Sequence, residues 1–161
     1  MDDVLGYSVR RCIVTGAASG LGEATTRILV DLGAEVHTVD VRKPDIVGIA
    51  SFSETDLHDP DAIARTVDAI GAIVNNLFNC AGLAVEMTER VIPNMIEGAV
   101  IASVAYADDD SIVRYTVARA GELVALGIRI NCVTSADAED RAWPLVLVGS
   151  PRSSPVTGAT V

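Results

Sequence analysis

The stretch Cys12-Ile13-Val14-Thr15-Gly16-Ala17-Ala18-Ser19-Gly20-Leu21-Gly22 decides the fold. An apolar run ends in a turn of small residues, and a helical pattern from Glu23 to Leu32 follows. Glycines let a chain turn tightly after a strand, and they let an anion approach the unpaired N–H groups of the next helix. The stretch reads as a dinucleotide-binding turn, with Gly16, Ser19, Gly20, Leu21 and Gly22 as candidate cofactor residues. An ordinary strand-turn-helix connection with small residues for packing is the plainer alternative. Asp40 favours the first reading: it ends a second apolar run, Glu35 to Val39, about 20 residues on, where the ribose-binding acid of such turns lies.

Outward from this unit, β-branched apolar runs alternate with helical patterns. A strand is expected near 11–15, a helix near 20–33, a strand near 35–40, a weak strand near 48–52 and a helix near 60–70. Asp59-Pro60-Asp61 is a helix start, a capping Asp before Pro, and Ile63, Val67 and Ile70 follow at helical spacing. A fourth strand near 73–80 ends in Asn79-Cys80-Ala81-Gly82. A helix near 85–96, a strand from Gly98 to Ala105, a helix from the acidic loop at Asp108–Ser111 to about Leu126, and a strand from Ile128 to Val133 complete the pattern. Trp143 to Val148 is apolar, Pro151 to Pro155 reads as a loop, and Thr157 to Val161 as the start of another strand.

The chain has 161 residues, enough for one domain (1–161) with a real core, and too few for a separate substrate domain. Half of its residues are hydrophobic and 4% aromatic, a balance suited to helices packed on a buried parallel sheet. The formal net charge of -10 argues against a nucleic-acid partner, whose footprint is a basic stripe. Acid runs at Asp59–Asp61, Asp108–Asp110 and Asp137–Asp140 read as solvated surface. No run reaches the roughly eighteen apolar residues of a membrane span, and Met1-Asp2-Asp3-Val4 is not a leader, so a cytoplasmic protein with no membrane partner is expected. Cys12, Cys80 and Cys132 are spaced neither as a disulfide framework nor as a zinc site and read as reduced core residues. His37 and His58 have no partner at ligand spacing, so no metal is expected.

With these elements in order, the sequence resembles the short-chain dehydrogenase/reductase family, and its wording is closest to the bacterial 3α-hydroxysteroid dehydrogenase-like branch. The likeness rests on Thr15 to Gly22, Asp40-Val41, Asp56-Leu57, Asn79-Cys80-Ala81-Gly82, Gly127 to Val133 and Val156 to Ala159. It implies an α/β fold: a Rossmann-type doubly wound parallel sheet with helices on both faces and its last strand cut short. In that family Asp40 and Val41 hold the adenosine ribose, Asp56 and Leu57 flank the adenine, and Asn79, Cys80, Ala81 and Gly82 floor the cleft. The acid at Asp40, with no base at Ala17 or Ala18, implies NAD; Arg42 leaves an NADP reading open. The implied reaction is hydride transfer between NAD(H) and a secondary alcohol or ketone, a steroid-like one if the likeness to that branch extends to substrate.

The likeness assigns the catalytic roles to Ser103, Tyr115 and Arg119. Ser103 corresponds to the serine that binds the substrate oxygen, and Tyr115 to the proton-transferring tyrosine of Y-x-x-x-K. Arg119 stands in the lysine position, on the same helix face as Tyr115. An arginine there keeps the charge but releases no proton near neutral pH. The chain departs further from the family in its short Gly82–Ser103 segment, which lacks the tetrad asparagine, in Ser135-Ala136 for Pro-Gly, in a lid of about ten residues, and in ending at Val161. The alternative is therefore a non-catalytic or weakly active dinucleotide-binding protein lacking the tetrad Lys and Asn. An interrupted edge strand beside apolar surface also favours a homo-oligomer.

Overall fold

The computed structural model describes residues 3–135, 141–153 and 157–160. The acidic stretch from Asp137, Pro155, Val156 and Val161 therefore lie outside the described residues. Six parallel strands form one sheet: β1 (Arg11–Thr15), β2 (Glu35–Asp40), β3 (Ser51–Glu54), β4 (Val74–Asn79), β5 (Met95–Tyr106) and β6 (Arg129–Ser135), in the order β3-β2-β1-β4-β5-β6. This is the doubly wound Rossmann order, whose direction reverses between β1 and β4.

Alternation along the strands feeds two cores. Cys12, Val14 and Phe78 point to one face, under helices α1 (Gly20–Asp31) and α5 (Ala142–Gly149). Ile13, Leu77 and Ile101 point to the other, under α2 (Pro60–Ile70), α3 (Ala84–Val91) and α4 (Ser111–Ala125). Asp59 caps α2 by accepting the Asp61 N–H at 2.9 Å, ahead of Pro60. Burying Ile63 and Val67 then contributes about 1.5–3 kcal/mol each.

Several boundaries differ from the sequence pattern. β3 is Ser51–Glu54 and not 48–52, because Gly48 turns at φ 92 and strand pairing starts only at His37 with Ser51. The helix expected over 85–96 ends at Val91. Pro93 has no N–H to continue it, Ile92–Asn94 tighten into a 3-10 turn, and β5 already starts at Met95. Trp143 to Val148 belongs to α5, an apolar helix whose Gly149 packs on Phe78 so closely that a Cβ would stand 2.5 Å from the ring. Among the described residues, 157–160 run beside β6: the Gly158 N–H reaches the Ile130 carbonyl at 2.6 Å, the Cys132 N–H reaches the Ala159 carbonyl at 2.9 Å, and Thr160 pairs with Cys132.

At the N-terminal edge of the sheet, Arg10 Nε donates to Asn76 Oδ1 at 2.9 Å, and Asn76 Nδ2 to the Gly149 carbonyl at 2.7 Å. This buried link locks the end of α5 to β4. It leaves the C-terminal edge, where ligands of such sheets bind, to the loops.

Candidate active site

The turn after β1 is shaped by three glycines with different duties. Gly16 has φ 67 and lies against Ala81, whose N would be 3.1 Å from an added Cβ. A Cβ on Gly22 would stand 1.9 Å from the Gly16 carbonyl oxygen, so α1 can start this close to the turn only with glycine there. Gly20, with φ 50, has nothing within 4 Å of an added Cβ: the space above the helix start is open. Ser19 caps α1 through its backbone, its carbonyl accepting the Glu23 N–H at 3.2 Å.

Asp40, at the end of β2, is tied to this turn. Its Oδ2 accepts the Ala18 N–H at 2.9 Å and its Oδ1 the Arg42 N–H at 3.0 Å. The carboxylate is thereby fixed in direction and keeps free lone pairs for a ligand. The motif after β4 is joined to the same turn, since the Ala81 N–H reaches Thr15 Oγ1 at 3.3 Å. Asp40, Asp56, Leu57 and Ala81 line a hollow of about 190 Å³. The exposed Asp56 carboxylate accepts the His58 N–H at 2.9 Å, and that hydrogen bond holds it below the usual carboxylate range.

Leu57 and Leu83 also border a second hollow of about 310 Å³ with Gly82 and Ile112. Asp109 links that one to a third, of about 370 Å³, lined by Tyr106, Val113, Thr134 and Arg141. A groove thus runs along the C-terminal edge, and its first section fits the adenosine and pyrophosphate of a nicotinamide dinucleotide: open space at a helix start, a fixed acid beside it, and a hollow next to both.

The residues expected to transfer the proton, Ser103, Tyr115 and Arg119, sit differently. Ser103 on β5 is 3% exposed. Asn79 Nδ2 donates to its Oγ at 3.0 Å and to Thr88 Oγ1 at 2.8 Å, so α3 lies over the serine. Tyr115 is half-buried on α4 and donates to Glu89 Oε1 of α3 at 2.6 Å. Arg119 meets the same carboxylate, Nε to Oε1 at 2.9 Å, and also pairs with Glu122. Burial raises the Tyr115 phenol above its ordinary value, Glu89 raises it further, and Arg119 pulls the other way. The structure therefore brings Tyr115 and Arg119 together around a third group, while Ser103 keeps company with Asn79 and Thr88.

Three contributors had escaped the sequence reading. Glu89 and Thr88 belong to a helix whose only local signal was its apolar spacing, and their partners are 26 and 9 residues away. Tyr106 closes the end of β5 by donating to the Cys80 carbonyl at 2.7 Å. Cys80 itself is buried, and burial pushes its thiol up to about 12. His37 is held by Ser51 at 2.7 Å and Glu35 at 3.0 Å, a structural role. Among the described residues no group of His, Cys, Asp and Glu is placed to hold a metal, and no helix is long and apolar enough to cross a membrane.

No protein-family model matches the chain. It is 29% identical over 86 residues to a coniferyl-alcohol dehydrogenase of Pseudomonas sp. (53% of this chain, 33% of the relative). It is 37% identical over 79 residues to the short chain dehydrogenase ausX of Emericella nidulans (44% and 40%). With the cis-4-hydroxycyclohexanecarboxylate dehydrogenase of Sinomonas cyclohexanicum, identity is 35% over 80 residues (44% and 32%). These matches span about a third to two-fifths of the relatives' length. Among solved structures, a short-chain dehydrogenase/reductase from Serratia marcescens superposes with TM-score 0.81 at 18% identity, covering 96% of this chain and 95% of that one. An NADH-dependent reductase complexed with NAD gives 0.83 at 18% (100% and 96%), and a Burkholderia cenocepacia short chain dehydrogenase in complex with NADP gives 0.83 at 18% (96% and 96%). The fold is the Rossmann fold of short-chain dehydrogenases/reductases. The three curated relatives are named as dehydrogenases, one of them a short chain dehydrogenase.

Proposed function

We propose that this chain is a short-chain dehydrogenase/reductase-type oxidoreductase that uses NAD(H) and acts on a secondary alcohol or ketone. The observation that carries the reading is Asp40, its carboxylate fixed by the Ala18 N–H at 2.9 Å beside the glycine turn. An acid there accepts hydrogen bonds from ribose hydroxyls and repels a 2'-phosphate. Gly16, Ser19, Gly20, Leu21 and Gly22 would receive the pyrophosphate, Val41 would border the ribose beside Asp40, Asp56 and Leu57 would flank the adenine, and Asn79 to Gly82 would floor the cleft. Bound there, the dinucleotide supplies the hydride donor or acceptor. Tyr115 transfers the proton, and Arg119 orders it. Ser103, held by Asn79, is the group that would polarise the substrate oxygen.

A cyclic secondary alcohol is the substrate class favoured by the name of the Sinomonas relative, and a steroid-like substrate is the larger member of that class. Three free, buried thiols suit a reducing, cytoplasmic setting. The test is a fluorescence titration with NADH and, in parallel, NADPH. Saturable binding that favours NADH is expected. Asp40→Ala should weaken it about 10- to 100-fold, the loss of charge-assisted hydrogen bonds worth about 1.5–3 kcal/mol. No saturable binding by the folded chain would overturn the reading.

A further inference from the structure

We propose that Glu89 is the positioning residue of the Tyr115 site: by holding the Tyr115 hydroxyl and the Arg119 guanidinium together, it orients that hydroxyl and holds its proton. This rests on the oxidoreductase reading above. Glu89 projects from α3, Tyr115 and Arg119 from α4, and one carboxylate joins all three, at 2.6 Å from the Tyr115 oxygen and 2.9 Å from Arg119 Nε. A lone cation one helical turn from a tyrosine would favour the phenolate. Here that cation is shared between Glu89 and Glu122, so the charged cluster is one negative charge in excess. The groups acting on Tyr115 are Glu89 from α3 and Arg119 from its own helix.

The consequence is a shift of the pH range over which the site keeps its proton donor. In reduction the carbonyl carbon takes a hydride from reduced nicotinamide, and its oxygen takes the Tyr115 proton. The tyrosinate left behind, repelled by Glu89, regains a proton from solvent at the exposed edge of the pair. Alcohol oxidation runs the same proton transfer in reverse, so Glu89 moves the pH range of both directions together.

The test uses the full chain with carbon-13 label at tyrosine Cζ, followed by NMR against pH as far as circular dichroism shows the fold intact; Tyr115→Phe assigns the signal. Wild-type Tyr115 should stay protonated well above the ordinary tyrosine value of about 10. Glu89→Gln, at an exposed position, should lower its midpoint by about one pH unit or more, and Glu89→Asp should restore part of the rise. An unmoved midpoint in Glu89→Gln overturns the proposal. With NADH and a panel of cyclic ketones, the alkaline limb of reduction should move down with the midpoint. A limb that stays put while the midpoint moves also overturns it. Absence of all turnover counts against the oxidoreductase reading alone, because the NMR titration still decides the pairing.

Discussion

Around the glycine turn after β1, position is set by the backbone. Gly22 has no room for a Cβ, Gly16 turns at positive φ, and Asp40 is fixed by two N–H groups. Around Tyr115 and Ser103, position is set by side chains from different strands and helices: Glu89 reaching Tyr115 and Arg119, and Asn79 reaching Ser103 and Thr88. Backbone constraints leave a mark in the local sequence, since only certain residues tolerate them. Side-chain partnerships leave almost none, because the partners come from distant segments. The first region should accordingly fail as a unit when one atom is added, and the second should yield bond by bond.

The largest effect expected is from Gly22→Ala. Its Cβ would overlap the Gly16 carbonyl oxygen, so α1 must move away from the turn, at about 3 kcal/mol or more. Urea unfolding and NADH titration should show stability and binding lost together. A stable, binding-competent variant would break the comparison at its first term.

The next effect is pH-dependent and belongs to the core that holds both thiols. Burial raises the thiols of Cys12 in β1 and of Cys80 after β4, the latter to about 12, from an ordinary value of 9.0. The unfolded chain releases these protons at lower pH than the folded one. Stability is therefore complete below about pH 8.5 and falls as pH rises from there toward 12, by about 1.4 kcal/mol per pH unit per thiol. Denaturant unfolding between pH 7.5 and 10 measures the slope, and Cys80→Val should remove about half of it.

A smaller, separable loss is expected in the second region. Asn79→Ala removes two buried hydrogen bonds and should cost about 2 kcal/mol, and a double-mutant cycle with Thr88→Ala should show about 1 kcal/mol of coupling. Additive losses would mean the two side chains are independent. Smallest of all, and opposite in sign, Ile73 is an exposed β-branched residue at φ 71 before β4. Ile73→Gly should relieve that conformation and raise stability by about 1 kcal/mol, read as a higher Tm.

Much of the fold was legible for a physical reason. Alternating apolar runs, the Asp59-Pro60 cap and the glycine turn are local, and the parallel order follows once strands and helices alternate. The boundaries that moved did so where one residue overrode the pattern, Pro93 at the end of α3 and Gly48 before β3. α5 was missed because a helix apolar on every side has no period to read.

By itself, the sequence determined the turn that joins β1 to α1, the acid at the end of β2, and the alternation of strands and helices. Each is a steric or patterning demand met by residues close together in the chain. Only the tertiary structure decided that α3 lies over Ser103, that Glu89 joins Tyr115 to Arg119, and that three hollows merge into one groove. Those contacts link residues that the chain brings together only after the sheet has formed, and no local pattern encodes a distance across a folded surface.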